Sequence, residues 1–263
     1  MTSQKTDQKT ELPKQPLIEH LLELKKRLIY CIIAFFLTTA ISYYFAAEIY
    51  EFLVQPLADA FPDPTHRRLI YTGLAEAFVT YLKLSVFAGF FAAFPVIATQ
   101  LYLFLAPALY KKERKALIPY LIAAPTLFLT GAAFVYYLIF PAAWRFFLGF
   151  ETGGGAGGLP IQLEAKVSDY LDIVMHLMIA FGLSFQLPVV LVLLVRSGMV
   201  ELETLKRGRK YALVLIVTVA AFITPPDILS QISLSIPLYL LYEISILLCR
   251  NIGASKEEDE IGD

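Results

Sequence analysis

An all-α fold of six membrane-spanning helices is what this sequence predicts, with the last two spans short and both termini cytoplasmic. Three observations lead there. The 263 residues are 57% hydrophobic and only 17% charged, with a mean hydropathy of +0.63, whereas soluble chains carry about 25% charged residues. The apolar residues gather into six runs bounded by charge. Finally, lysine and arginine sort by connection. Seventeen of the 22 fall in the N-terminal segment, the second and fourth connections and the C-terminal tail, and four in the other connections. An excess of Lys and Arg marks cytoplasmic segments, so the chain reads as a multi-pass protein of the cytoplasmic (inner) membrane. Residues 1–15 form a cytoplasmic tail, 16–252 the six-helix domain, and 253–263 a disordered, acidic cytoplasmic tail.

The first span, Leu28–Ala47, is twenty residues without a charge, enough for a hydrocarbon core of about 30 Å at 1.5 Å per residue. It is too long for the apolar stretch of a cleaved signal, and no A-x-A site follows, so it is retained. The second and third spans are Leu84–Leu105 and Leu117–Pro141, and the fourth is Leu171–Val195. The fifth, Tyr211–Thr224, has only 14 residues, about 21 Å as a helix. Thr-Pro-Pro-Asp (224–227) turns the chain into the sixth, Ile228–Leu248, whose apolar part ends at Glu243. Two short neighbouring spans thin the lipid beside them, unless other helices bury them. The long connections lie outside. One holds Glu48–Leu57, a helical pattern closed by Pro56 that suits a short interfacial helix, and the other a glycine tether, Gly153–Gly158. Nine prolines at or within spans each remove a backbone hydrogen bond and predict bent walls.

No enzyme constellation is present. His20, His66 and His176 fall at different depths or on different sides, which leaves no zinc triad. Walker, HExxH and GxSxG motifs are absent, and the glycine run lacks the ending of a phosphate loop. Cys31 and Cys249 sit in or at the end of apolar segments and form no CxxC pair. No cofactor, metal or nucleic acid is expected.

Three sets of residues carry information about binding. In PLIEHLLELKKR (16–27), Leu17, Leu21, Leu24 and Leu28 share one helical face. Glu19 and Glu23 flank it at the cytoplasmic border. The spacing favours a surface pair between Glu23 and Arg27, worth about 0.3–0.5 kcal/mol; the alternative is a carboxylate that receives an external cation. Glu113 is the single acid in the basic turn Lys111–Lys115. Within the spans, Gln100, Gln186, Gln231 and Glu243 need partners, because hydrocarbon offers none.

Together these pieces resemble the TatC family, the receptor subunit of the twin-arginine protein translocase. The resemblance rests on EHLLELKKRL (19–28), YEFLVQPL (50–57), FPVIATQLYLFLAPALYKKER (94–114), AFGLSFQLPV (180–189), ITPPDILSQ (223–231) and IPLYLLYEI (236–244), in family order and spacing. It implies a receptor for signal peptides with paired arginines, and a core subunit that exports folded cargo on the proton-motive force. It also implies TatA- and TatB-like single-span partners, self-association and a lipid bilayer as surroundings. Carried over by position, Glu23 and Glu113 become the acids that receive the arginines. Lys25 and Phe104 join them, and Pro56, Pro95, Gln186, Asp227 and Glu243 become structural or partner-contact positions. Two departures stand out. Lys25 replaces an arginine of the family motif and removes its fork of donors. Gln186 occupies a position where many relatives carry an acid, which argues against a proton-relay role and leaves hydrogen bonding or water retention in a concave wall. The rival reading is a secondary transporter of a small solute, which predicts broken helices at matching places in two halves. The short pair lies only at the C-terminal end.

Overall fold

The computed structural model describes residues 17–61, 68–109, 118–152, 158–159, 161–223 and 228–261. Among them the structure is helical apart from turns and isolated bridges. In chain order the helices are α1 (Leu17–Tyr44), α2 (Ala46–Ala60), α3 (Glu76–Leu109), α4 (Ile118–Phe134), a π turn (Val135–Ile139), α5 (Phe140–Leu148), α6 (Val167–Ser184), α7 (Leu187–Arg196), α8 (Leu202–Arg207), α9 (Arg209–Ile223) and α10 (Ile228–Ile261). Four runs, Ile18–Tyr44, Glu76–Phe104, Pro119–Leu148 and Val167–Arg196, are long and apolar enough to cross a bilayer. They overlap the first four spans read from the sequence. The fifth falls on α9, which has 15 residues, and the sixth lies in α10. Helix α10 also continues to Ile261, into the acidic end of the chain that the sequence reads as a solvated tail.

Boundaries differ from the sequence reading for physical reasons. Helix α1 starts eleven residues before the apolar run, because nothing between Leu17 and Leu28 breaks a helix: the amphipathic segment and the span are one rod. Prolines act unequally. Helix α3 runs through Pro95, whereas the third span widens into the π turn just before Pro141. The fourth span breaks at Phe185–Gln186, with Pro188 in the first turn of α7. Pro56 has a specific consequence. Lacking an N–H, it leaves the carbonyl of Phe52 without its helical partner, and the Tyr136 hydroxyl donates to that oxygen at 2.7 Å. Tyr170 donates to the next carbonyl, Leu53, also at 2.7 Å. Two buried tyrosines thereby pin α2 across the ends of the π turn and α6.

The core is aromatic. Phe94 and Phe128 stack at 3.7 Å between α3 and α4, and glycines let the backbones close on them. A Cβ at Gly182 would meet the Phe128 ring at 2.6 Å, and one at Gly131 would meet the Phe181 carbonyl oxygen at 2.7 Å. Small residues serve the same end where apolar helices pack without a hydrophobic drive between them. At the α2 end of the bundle the two long connections are tied together. Ile70 donates to the Ala165 carbonyl at 3.1 Å and accepts from Val167 at 2.9 Å, Arg68 pairs with Glu164, and Lys166 pairs with Glu76 at 3.6 Å.

Candidate functional site

Helix α1 rests on α3. Thr38 Oγ1, on α1, donates to the Gly89 carbonyl at 2.8 Å, and the missing Cβ of Gly89 allows that approach. A methyl there would stand 2.6 Å from the Cα of Thr39. Eleven residues toward the N-terminus, at the opposite end from α2, Arg27 comes beside Gln100 of α3. Its Nε donates to Glu23 Oε1 at 3.0 Å and Nη2 to the same oxygen at 2.5 Å. Nη1 reaches Gln100 Oε1 at 3.4 Å. One turn beyond, the His20 ring stacks on Phe104 with centroids 4.3 Å apart and planes 11° from parallel. His20 Nδ1 stands 4.0 Å from Glu23 Oε2.

These five residues form one cluster because of spacing. His20, Glu23 and Arg27 fall at i, i+3 and i+7 on α1, and Gln100 and Phe104 at i and i+4 on α3, so each set shares a face. The pair of Glu23 with Arg27 anticipated from spacing is formed, and it is more than a surface pair, since the guanidinium is also held to a second helix. Glu23 is one-third exposed. Both donors from Arg27 fall on Oε1, and among the described residues the contact at Oε2 is the His20 ring. The site therefore offers a carboxylate oxygen next to an aromatic shelf. That combination suits a guanidinium, which hydrogen-bonds in its plane and stacks on its face.

The other positions named from the sequence scatter. Lys25 is exposed and points away from the cluster, about 200° round the helix from Glu23. Pro95 lies on the exposed side of α3. Pro56, a buried residue of α2, borders a groove of about 630 Å³, which Glu48, Glu51 and Asp59 line on one side and Tyr137 and Arg145 on the other. Gln186, half-buried at the α6–α7 break, donates to the Ala124 carbonyl of α4 at 3.0 Å. Glu243 has a defined partner. Arg209 Nε and Nη2 reach Oε1 and Oε2, each at 2.9 Å, and the Tyr239 hydroxyl donates to Oε1 at 3.0 Å. Glu113 and Asp227 lie outside the described residues. Sequence reasoning placed Gln100 only as a polar group in need of a partner, and it used His20 only to dismiss a zinc site. Their signal was the matched spacing, visible once α1 and α3 are set side by side.

Comparison with known proteins gives a consistent picture. Residues 19–237 match the family described as Sec-independent protein translocase protein (TatC). The Sec-independent protein translocase protein TatC of Rickettsia prowazekii is 50% identical over 234 residues, covering 89% of this chain and 92% of the relative. That of Escherichia coli K12 is 39% identical, covering 94% and 93%. A crystal structure of the twin-arginine translocase receptor TatC superposes with a TM-score of 0.74 at 38% identity, over 88% of this chain and 98% of that one.

Proposed function

The chain belongs to the TatC family of Sec-independent protein translocase proteins, and on that premise we propose that it is the signal-peptide receptor and core subunit of a twin-arginine translocase. The relatives offer no support for a solute carrier. The observation that carries the finer reading is the Oε2 of Glu23 beside the His20–Phe104 stack. An arginine of the signal peptide docks there, its guanidinium bonding Oε2 in plane while its face lies along the aromatic shelf. Arg27 stays on Oε1 and Gln100, which orients the carboxylate before the ligand arrives and lowers the ordering cost. The second arginine is assigned to Glu113, the single acid of the basic turn that follows α3. Single-span TatA- and TatB-like subunits and a second copy of the chain complete the assembly around the bundle.

In the inner membrane both termini face the cytoplasm. The charge asymmetry supports this orientation, and so do the alternating ends of the helices. On the same reading, α9 and the first half of α10 form a short outward hairpin. The Arg209–Glu243 pair, partly exposed, marks where cytoplasmic water begins, so the apolar length of α9 is about 21 Å and lipid thins beside it. Cysteines at Gly155 and Asp63 are expected to react only with reagent outside the cytoplasmic membrane, and cysteines at Lys112 and Gly208 only from inside. Labelling of position 208 from outside would overturn the orientation.

The recognition test is a photoreactive residue at position 113 in the full chain, in membranes, offered a signal peptide with paired arginines or its paired-lysine variant. The arginine peptide is expected to crosslink and the lysine peptide to do so much less, since an ammonium has no planar fork. Equal crosslinking of both peptides removes the assignment of Glu113.

A further inference from the structure

The candidate site contains one ionisable group that docking uses only for its flat face. His20 Nδ1 stands 4.0 Å from Glu23 Oε2, outside hydrogen-bond distance. The same ring lies on Phe104, with centroids 4.3 Å apart. Its side chain is 41% exposed, so water and protons reach it. Histidine is the side chain whose charge ordinarily changes between about pH 5 and 8. The oxygen it faces is the one to which an arginine of the signal peptide is assigned.

Neutral and protonated rings act differently here. A neutral imidazole has one N–H and one lone pair. With its proton on Nε2, it turns the Nδ1 lone pair towards the carboxylate and offers that group nothing but an aromatic surface. An imidazolium donates from both nitrogens. An approach of about 1 Å then gives Nδ1 a charge-assisted bond to Oε2, of the kind that runs at about 2.7–2.9 Å. Phe104 does not oppose the charge, because the face of an aromatic ring attracts a cation. Among the described residues, the charged groups facing the ring are Glu23 and, behind it, Arg27, which stays on Oε1. Glu19 lies one residue back, about 100° round the helix. From α3 the neighbours are Gln100 and Phe104, and neither ionises.

We propose that His20 is a proton-operated latch on the receptor carboxylate: protonated, it closes Nδ1–H onto Glu23 Oε2 and competes with the signal-peptide arginine for that oxygen. Neutral, it lies back on Phe104 and the oxygen is available. The imidazolium also puts a positive charge where the face of the guanidinium would lie, so both effects act in the same direction. Occupancy of the receptor falls as the cytoplasmic side acidifies. The latch rests on the docking of an arginine at Glu23 proposed above. It makes His20 a determinant of when the site binds, in addition to its part in the shelf.

The test measures the affinity of the full chain, in lipid nanodiscs, for a histidine-free, N-acetylated peptide with paired arginines. Affinity is followed from about pH 7.5 to about pH 5.5, the range over which histidine titrates. One competing proton changes affinity by at most about tenfold per pH unit, and the parent is expected to lose about tenfold over the whole range. His20→Phe keeps a ring on Phe104 but takes no proton, and His20→Gln keeps a polar donor without a titrating charge. Whatever affinity each variant has at the higher pH should stay level to the lower. Midway through the range, calorimetry in two buffers of different ionisation enthalpy should show the parent releasing more protons on binding than either variant. A parent that follows the variants' pH profile, or releases no more protons than they do, overturns the latch. Glu23→Gln at the higher pH separates the two readings. A strong loss there, with matching profiles, removes the latch and keeps the docking, whereas no loss removes the docking and the latch with it.

Discussion

Helix α1 and the α6–α7 pair have nearly the same length of apolar chain, yet the bundle treats them in opposite ways. Within their apolar windows, 6% of α1 is buried inside the protein and 44% of α6–α7. In water an apolar helix exposed like α1 would be a liability. In lipid it is not, because acyl chains are as apolar as leucine and packing supplies the attachment. The contrast separates two tasks. Helix α6 is wedged between α3 and α4 through Gly182 and Phe181, and it holds the fold. Helix α1 is held to α3 by Thr38 and Gly89 at one level and by Arg27 and Gln100 at another, and it presents Glu23. Substitutions on α6 should act on stability, and those at the N-terminal end of α1 on recognition.

The largest effect is expected at the aromatic centre. Phe128→Ala removes a side chain with no exposed surface that stacks on Phe94 and packs against Gly182, and should cost about 3–5 kcal/mol. Thermal unfolding of the purified protein in detergent measures it. A loss under 1 kcal/mol would show that α4 and α6 are not the stabilising pair, and the contrast with α1 would lapse.

Next comes Glu23. A charge-assisted hydrogen bond contributes about 1.5–3 kcal/mol, so Glu23→Gln or Glu23→Ala should weaken binding of a paired-arginine peptide about 10- to 150-fold. The melting temperature should move little, since Arg27 keeps its contact with Gln100 and a partly exposed ion pair contributes about 0–1 kcal/mol. Salt should weaken binding as well, because the site is partly exposed. A double-mutant cycle between Glu23 and each peptide arginine apportions the contact. Zero coupling with both arginines would return Glu23 to a local partner of Arg27.

Gly89→Ala tests the seam between the two tasks. Its Cβ would meet the Thr39 backbone, which cannot swing aside as a side chain can, and should cost about 1–3 kcal/mol. Because the strain falls on the α1–α3 contact, amide exchange should rise along α1 while α6 stays protected. Equal exchange in both helices would mean that α1 is not a separable unit.

How far these features could be read in advance follows the range of the forces behind them. The apolar runs, the shortness of α9 and a helix at Glu48–Leu57 were legible, because each depends on neighbours within a few residues, but Pro56 does not close that helix, which runs on to Ala60. The joined rod of α1 was missed for want of a stop signal: the charges of Lys25–Arg27 ended the apolar run without ending the helix. The π turn before Pro141 and the unbroken passage of α3 through Pro95 were not separable by sequence, since both begin from the same missing N–H and differ only in what packs alongside. At the candidate site, Glu23 was legible as an acid at a border and Arg27 as its neighbour. Phe104 was named through the family resemblance, whereas Gln100 and His20 joined them only through the register of α1 on α3, which Gly89 and Thr38 set more than ten residues away.

The smallest effect expected is at Gln186, and it bears on α6 itself. The helix breaks at Phe185–Gln186 and resumes as α7, and the Gln186 side chain crosses the break to the Ala124 carbonyl of α4. That carbonyl, on a residue with no exposed surface, has a second lone pair beyond its helical hydrogen bond, so the amide adds a bond without taking one away. Gln186→Leu deletes the donor and keeps approximate size. Interhelical hydrogen bonds in membranes average about 0.6 kcal/mol and reach about 1.7, so the loss should lie in that range, well under that of Phe128→Ala. Gln186→Met, also apolar but unbranched, should lose as much if the bond matters and less if the cost is one of shape. The two variants unfolding like the parent would show that Pro188 and the packing of Phe181 and Phe185 hold the break without help. In that case the fourth span owes its stability to apolar contact alone.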